Sequence, residues 1–249
     1  MGVLDGKTAI VTGAVGGIGG AVAAAFILEG AVVGLIDLPT DALTEEARRL
    51  GGHPLPADVG DESSISAAIG SFLDRNSRLD ILFTSAAVQL HGQDASAHEL
   101  DLDVWERTIR VNLTGTFLTT KYAVRPMLAQ QSGSVIHCGS PTGISGVGAG
   151  YDAYSASKGG VHALVKSTAI AYAPLGVRVN AIIPGATRTP LIADLLDDAD
   201  WEIQLTNSTP LGRLGEPEDV VGLAVLLASD AGSFITGALL CADGGMTAR

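Results

Sequence analysis

Apolar runs of strand character alternate with helical stretches along the whole chain, and this alternation limits the fold more than any other feature. The runs cover 8–11, 32–36, 80–83, 134–137, 177–183 and 238–241, with a weaker one near 54–57. Between them the apolar residues adopt helical spacing, as in Val22, Phe26 and Ile27. Short continuous apolar runs suit strands buried on both faces, and helix-length connections between them build right-handed βαβ units. Hydrophobic residues make up 47%, charged residues 17%, and there are 32 glycines for tight turns. The expectation is therefore an α/β chain, one domain over residues 1–249, with a doubly wound parallel sheet and helices on both faces. One segment, about 185–216, breaks the rhythm with no strand character. A stretch of that kind inside a compact α/β domain suggests a substrate lid, placed at about 186–215.

Several function classes are disfavoured. No run reaches the roughly 18 apolar residues of a membrane span, and Met1 leads into the first run without a basic, apolar leader, so the expected location is the cytoplasm. Cys138 and Cys241 lie far apart without a CxxC or His-rich context, which reads as reduced thiols. The five histidines, at 53, 91, 98, 137 and 162, form no metal-ligand spacing, and no metal is expected. A net charge of −12 argues against nucleic acid, anionic membranes and acidic protein partners.

The first run opens into Thr12-Gly13-Ala14-Val15-Gly16-Gly17-Ile18-Gly19-Gly20 and then a helix. A turn with few side chains lets backbone N–H groups approach a pyrophosphate, and the helix N-terminus adds favourable partial charge. Gly13, Val15, Gly16, Gly17 and Ile18 are the candidate contacts. The spacing is GxxxGxG rather than GxGxxG, and a tight turn without ligand is the alternative. Asp37, followed by Leu38, ends the second run at about the 20-residue distance where a carboxylate meets an adenosine ribose in a Rossmann-type sheet. Such a carboxylate accepts from both ribose hydroxyls of NAD and repels the 2′-phosphate of NADP. NAD is the expected cofactor.

Tyr154 and Lys158 stand four apart at the start of a helical stretch, on one face. An ammonium beside the phenol, joined by an oxidised nicotinamide ring, favours the phenolate and makes Tyr154 a usable acid/base. Ser155 and Lys158 also satisfy SxxK, a hydrolase signature, but the SDN, KTG and GxSxG companions are absent.

Taken together, TGAVGGIG, Asp58-Val59, Asn112 in VNLTGTF, Ser140 ahead of YSASK, PGATRTP at 184–190 and the C-terminal GRLGEPEDVVGLAVLLASDAGSFITGALLCADGG resemble the short-chain dehydrogenase/reductase family over nearly the whole chain. The resemblance implies hydride transfer between a secondary alcohol and its ketone. It implies Tyr154 as acid/base, Lys158 as its electrostatic partner and a ribose ligand, Ser140 as the donor to the substrate oxygen, and Asn112 as holder of a relay water. It also places Pro184, Gly185, Thr187 and Thr189 around the nicotinamide, with Asp58 and Val59 at the adenine and Ser85, Ala86 and Ala87 on the cofactor path. A homotetramer is implied through the C-terminal strand and the helices near 103–130 and 155–173, with Leu113, Phe117, Leu118, Val161, Leu164 and Val165 open to core or interface roles.

Three departures from the family pattern stand out. Thr84-Ser85-Ala86-Ala87 replaces the usual Asn-Asn-Ala-Gly, which removes amides, adds a methyl and loosens the cofactor path. Gly139 precedes Ser140 where a second Ser is common, and Pro141 follows it. Thr187 replaces a Val or Ile. For the substrate, Gln89, His91, Tyr151 and Asp152 suggest a small hydroxylated molecule such as a sugar or cyclic polyol, while Leu191, Ile192, Leu195, Leu196 and Trp201 suggest an apolar cover. The alternatives are a 3-oxoacyl thioester reductase and a non-catalytic NAD-binding sensor.

Overall fold

The computed structural model describes residues 2–146 and 150–248. Its centre is one seven-stranded, all-parallel sheet in the order β3-β2-β1-β4-β5-β6-β7. The strands are β1 (Thr8–Thr12), β2 (Val32–Asp37), β3 (His53–Pro56), β4 (Ile81–Thr84), β5 (Gly133–Cys138), β6 (Val177–Pro184) and β7 (Leu239–Ala242). Each lies within a residue or two of its apolar run, and in the inner strands β1, β4 and β6 both faces are covered, so the apolar residues have no reason to alternate.

Helices α1 (Gly17–Leu28), α2 (Asp41–Leu50) and α9 (Glu218–Ala228) cover one face, where Val22, Phe26, Leu43, Ala47, Val220 and Leu227 are buried. Helices α3 (Glu62–Asn76), α5 (Gly115–Gln130) and α6 (Asp152–Tyr172) cover the other with Ile65, Phe72, Met127 and Val165. The short α4 (Leu102–Ile109) runs into α5 through a π-helical turn, Arg110–Thr114. The segment expected as a strandless loop holds two short helices, α7 (Ala193–Leu196) and α8 (Ala199–Ser208). Its ends are pinned together: Arg188 N–H donates to Gly215 O at 2.8 Å, and Gly215 N–H to Ala186 O at 2.9 Å.

The chain reverses direction across the sheet between β1 and β4, so their alignment sets the crevice beyond their C-terminal ends. Asp80, at the entry to β4, secures that alignment. Its Oδ2 accepts from Thr8 N at 2.9 Å and from Arg78 Nε at 2.9 Å, and its Oδ1 accepts from Arg78 Nη2 at 2.5 Å. Burial pushes the Asp80 carboxyl up, but the Arg78 guanidinium and the Thr8 donors outweigh it and hold the group below its ordinary value. A lowered folded-state value means the stabilisation is complete above the ordinary carboxylate range and lost as pH falls through the lower folded value. Asp80→Asn is expected to cost about 2 kcal/mol in urea unfolding at about pH 7. The gap from wild type should narrow as pH drops from about 5 towards 2, and a pH-independent gap would rule out the ionised carboxylate as its source.

Candidate active site

A cavity of about 1080 Å³ opens at the C-terminal ends of the strands. Of the catalytic and cofactor-contacting residues expected from the sequence, Asn112 alone does not line it.

At one end lies the glycine turn. Gly13 has φ +68°, and a Cβ there would sit 2.7 Å from Ala86 N, so only glycine lets β1 and the loop after β4 approach this closely. Thr12 Oγ1 reinforces the approach by accepting from Ser85 N and Ala86 N, both at 3.2 Å. Gly16 caps α1 with no side-chain bond, leaving the N–H groups of the first turn directed at the cavity. Asp37 turns towards this turn: Oδ2 accepts from Val15 N at 3.0 Å and Oδ1 from Leu38 N at 2.8 Å. Each oxygen keeps a further lone pair for a ligand hydroxyl. Along the wall, Asp58 pairs with Arg110 at 2.9 Å and Val59 packs against the backbone of Gly115. Across from the turn, Thr187 Oγ1 donates to Gly185 O at 2.9 Å and Thr189 packs over Gly17.

Tyr154, Lys158 and Ser140 meet in the middle of the cavity, all buried. Tyr154 and Lys158 share the α6 face, with the Lys158 ammonium 5.6 Å from the phenol ring centroid and donating to Cys138 O at 2.9 Å. The start of α6 is fixed by Asp94, whose carboxylate accepts from Ala153 N at 3.1 Å and Tyr154 N at 2.9 Å. A carboxylate on the first-turn N–H groups satisfies the helix donors and its dipole at once. Ser140 Oγ accepts from Thr142 N at 3.3 Å and Thr142 Oγ1 at 3.1 Å, which leaves its own proton to donate.

Burial pushes Tyr154 above its ordinary value, opposed by the Lys158 ammonium and the Ser140 hydroxyl and reinforced by Cys138. The sequence expectation of a favoured phenolate counted the charge but not the desolvation, which is the larger effect within the protein. Asn112 is enclosed in the π-helical turn, where Oδ1 accepts from Val88 N at 2.8 Å and Nδ2 donates to Val88 O at 2.9 Å and Ser157 Oγ at 3.1 Å. It clamps the loop after β4 to α6 from outside the cavity.

The amides expected at positions 84 and 85 have local substitutes. Thr84 Oγ1 bonds His137 Nδ1 at 2.8 Å, and burial, with Lys158 adding to it, pushes His137 down to about 3 and keeps it neutral. Ser85 hydrogen-bonds the half-buried Cys138 thiol.

At the far end, Gln89 and Tyr151 line the cavity with Leu191, Ile192, Leu195 and Trp201, whereas His91, Asp152 and Leu196 do not. His91 instead bonds Leu191 O at 3.2 Å, and Asp152 accepts from Ala97 N at 2.8 Å.

A family profile described as Enoyl-(Acyl carrier protein) reductase matches residues 13–247. The cis-4-hydroxycyclohexanecarboxylate dehydrogenase of Sinomonas cyclohexanicum is 40% identical, over 97% of this chain and 97% of that protein. The 2,5-dichloro-2,5-cyclohexadiene-1,4-diol dehydrogenase of Sphingobium indicum is 36% identical over 100% of both. A crystal structure of a gluconate 5-dehydrogenase from Burkholderia cenocepacia, in complex with NADP and tartrate, superimposes with a TM-score of 0.93 at 32% identity, covering 99% of this chain and 97% of that one. The chain belongs to the short-chain dehydrogenase/reductase family. It is accordingly an oxidoreductase of secondary alcohols, in a family that uses a nicotinamide cofactor.

In this short-chain dehydrogenase/reductase, four features escaped sequence reasoning. Asp94 and Thr142 orient Tyr154 and Ser140 through long-range or turn contacts that carry no motif. Arg107 and Arg110 reach the cavity wall, a placement that depends on the π-helical turn. No helix among the described residues is long and apolar enough to cross a membrane.

Proposed function

We propose that the chain interconverts a cyclic secondary alcohol, a sugar or a cyclic polyol, with its ketone or lactone, using NAD. The observation that carries this reading is the convergence of the Ser140, Tyr154 and Lys158 polar groups between a glycine turn fit for a dinucleotide and an amphipathic far end. When bound, the nicotinamide supplies the hydride acceptor or donor. The residues fit it, since the α1 N-terminus is bare and a Cβ on Gly17, at φ +54°, would close the gap to Thr189 to 3.0 Å.

Ser140, its lone pairs already met by Thr142, donates to the substrate oxygen and steadies the charge developing there. Tyr154 exchanges the hydroxyl proton, and Lys158, anchored on Cys138 O, stabilises the phenolate in the step where it forms. Asn112 braces the floor of this arrangement from outside the cavity, through Val88 and Ser157. Lys158 and Thr189 line the cavity and would hold the cofactor, at its ribose and its carboxamide respectively. Gln89 and Tyr151 suit ring hydroxyls, while Leu191, Ile192, Leu195 and Trp201 suit a ring face. We read 186–215 as a lid over that end, hinged where Ala186 and Arg188 meet Gly215. The two relatives named for alcohols on six-membered carbon rings support the substrate class. Unbridged Cys138 and Cys241 are in keeping with the cytoplasm.

Assembly is read as a homotetramer. Leu118, Val161 and Val165 are core residues, but Phe117 is 47% and Trp105 36% exposed on neighbouring helices. Light scattering at micromolar concentration should give four times the 25.3 kDa chain mass, and the monomer mass would overturn the assembly.

A screen of sugars, cyclohexanediols, steroids and 3-oxoacyl thioesters should find turnover with cyclic alcohols, and preference for the thioester would sink the polyol reading. On the best alcohol, Tyr154→Phe should keep fold and dinucleotide affinity while lowering turnover at least about 10²-fold. More than about a tenth of the activity surviving would exclude Tyr154 as proton carrier.

Cofactor choice rests on Asp37. A 2′-phosphate beside it costs about 4 kcal/mol at 4 Å and an effective dielectric of about 20. Arg110, the basic group nearest in role to a rescuer, is paired with Asp58. NAD should be favoured at least about a hundredfold in kcat/KM, and Asp37→Ser should cut the preference sharply by weakening NAD and relieving NADP. Equal efficiency with both cofactors in the unaltered protein would show that this carboxylate does not set the choice.

A further inference from the structure

His162 lies on α6 one turn beyond Lys158 and is buried in a notch made by two glycines. A Cβ on Gly139 would stand 2.4 Å from His162 Nε2, and one on Gly143 would stand 2.8 Å from its Cε1. The departure at position 139 is thus the space that the ring occupies. From this notch the ring bonds both ends of the short turn that carries Ser140. The Ser140 N–H donates to Nε2 at 3.4 Å, and Nδ1 lies 3.2 Å from Gly143 O.

The chemistry of those two partners fixes the ring's state. A carbonyl oxygen only accepts, so Nδ1 carries the proton, and a backbone N–H only donates, so Nε2 offers its lone pair. Only the neutral ring, in one tautomer, makes both bonds. Burial pushes His162 below its ordinary value, against the Gly143 carbonyl and with Lys158, which keeps the ring neutral around pH 7. Within the same turn Ser140 O accepts from Gly143 N at 3.1 Å, and Thr142 holds Ser140 Oγ, so the turn moves as one piece. Its links to α6 therefore govern where the Ser140 hydroxyl stands relative to Tyr154.

We propose that His162 is a positioning residue for Ser140, strapping the Ser140–Gly143 turn to the helix that carries Tyr154 and Lys158. It touches neither substrate nor cofactor; among the described residues it does not line the cavity. The inference rests on the reading of Ser140 as donor to the substrate oxygen, and the test separates the two.

Steady-state kinetics with cyclohexane-1,2-diol and NAD would compare wild type with Ser140→Ala, His162→Leu, His162→Gln and the Ser140→Ala/His162→Leu double variant. Loss of the oxygen donor should lower kcat about 10²-fold in Ser140→Ala. His162→Leu should lower kcat at least about tenfold with KM for NAD within about twofold, because the strap is distant from the dinucleotide turn. Glutamine has one acceptor and one donor to replace the ring nitrogens, so His162→Gln should recover most of kcat. In the Ser140→Ala background, adding His162→Leu should cost less than about twofold, since its object is gone. A general packing role would instead lower both backgrounds equally and leave Gln no better than Leu, and either result overturns the proposal. If His162→Leu does not fold, Gly139→Ala displaces the same ring and is read in the same cycle. Ser140→Ala within about twofold of wild type would sink the reading of Ser140 itself, whereas a Ser140→Ala loss without a His162→Leu loss would sink only the strap.

Discussion

The structure depends first on how closely two backbones meet at the turning point of the sheet. Thr12 Oγ1 accepts from two successive N–H groups, those of Ser85 and Ala86, and Gly13 brings its bare Cα against the same peptide. The bond to Ala86 N extends the pairing of β1 and β4 beyond the ladder, where Ser85 N also donates to Thr12 O at 3.2 Å. These bonds also fix the distance between the floor of the cavity and the loop that leads on to Val88 and Asp94. Through Val88 the loop is clamped by Asn112, and through Asp94 it caps α6. The position of Tyr154 is therefore set from β1 outward.

A second consequence is that the reactive groups are held by neutral or charge-matched partners rather than by other ionisable groups that could compete. Lys158 rests on a carbonyl, Ser140 on Thr142, and the imidazoles of His137 and His162 lie nearby uncharged. A second cation beside Lys158 would be costly in so dry a setting, and burial removes it by keeping both rings neutral. Thr84 and His137 are cross-strand partners, so the hydroxyl that departs from the family pattern at the end of β4 finds its hydrogen-bond partner on β5.

Much of this was legible in the sequence, and what was not has physical reasons. The inner strands could be read because doubly covered strands are apolar throughout, and the glycine turn because its strand-to-helix geometry is local. The two short helices within 186–215 were missed: α7 has four residues, too short to show a period, and α8 has mixed polarity. The π-helical turn at Arg110–Thr114 leaves no compositional trace, yet it swings Asn112 away from the cavity and Arg110 towards it. Asp94 and His162 are ordinary residues in the sequence. Their importance lies in contacts across 60 and 22 positions, and no spacing rule reaches that far.

The electrostatics of Tyr154 show why a motif is less than a mechanism. The four-residue spacing does bring Lys158 to the phenol, and that ammonium does favour the phenolate. Burial costs the phenolate more, so the protein by itself holds Tyr154 as a phenol, with Ser140 beside it. A phenol is a ready donor for reduction, whereas oxidation needs it to accept a proton. Additional positive charge next to the ring tips that balance, and in a cavity of low dielectric a single charge acts strongly. An oxidised nicotinamide carries that charge and a reduced one does not. With Tyr154 in its proposed role, the same burial that suppresses the phenolate would make proton acceptance depend on that added charge and tie proton transfer to the direction of the reaction.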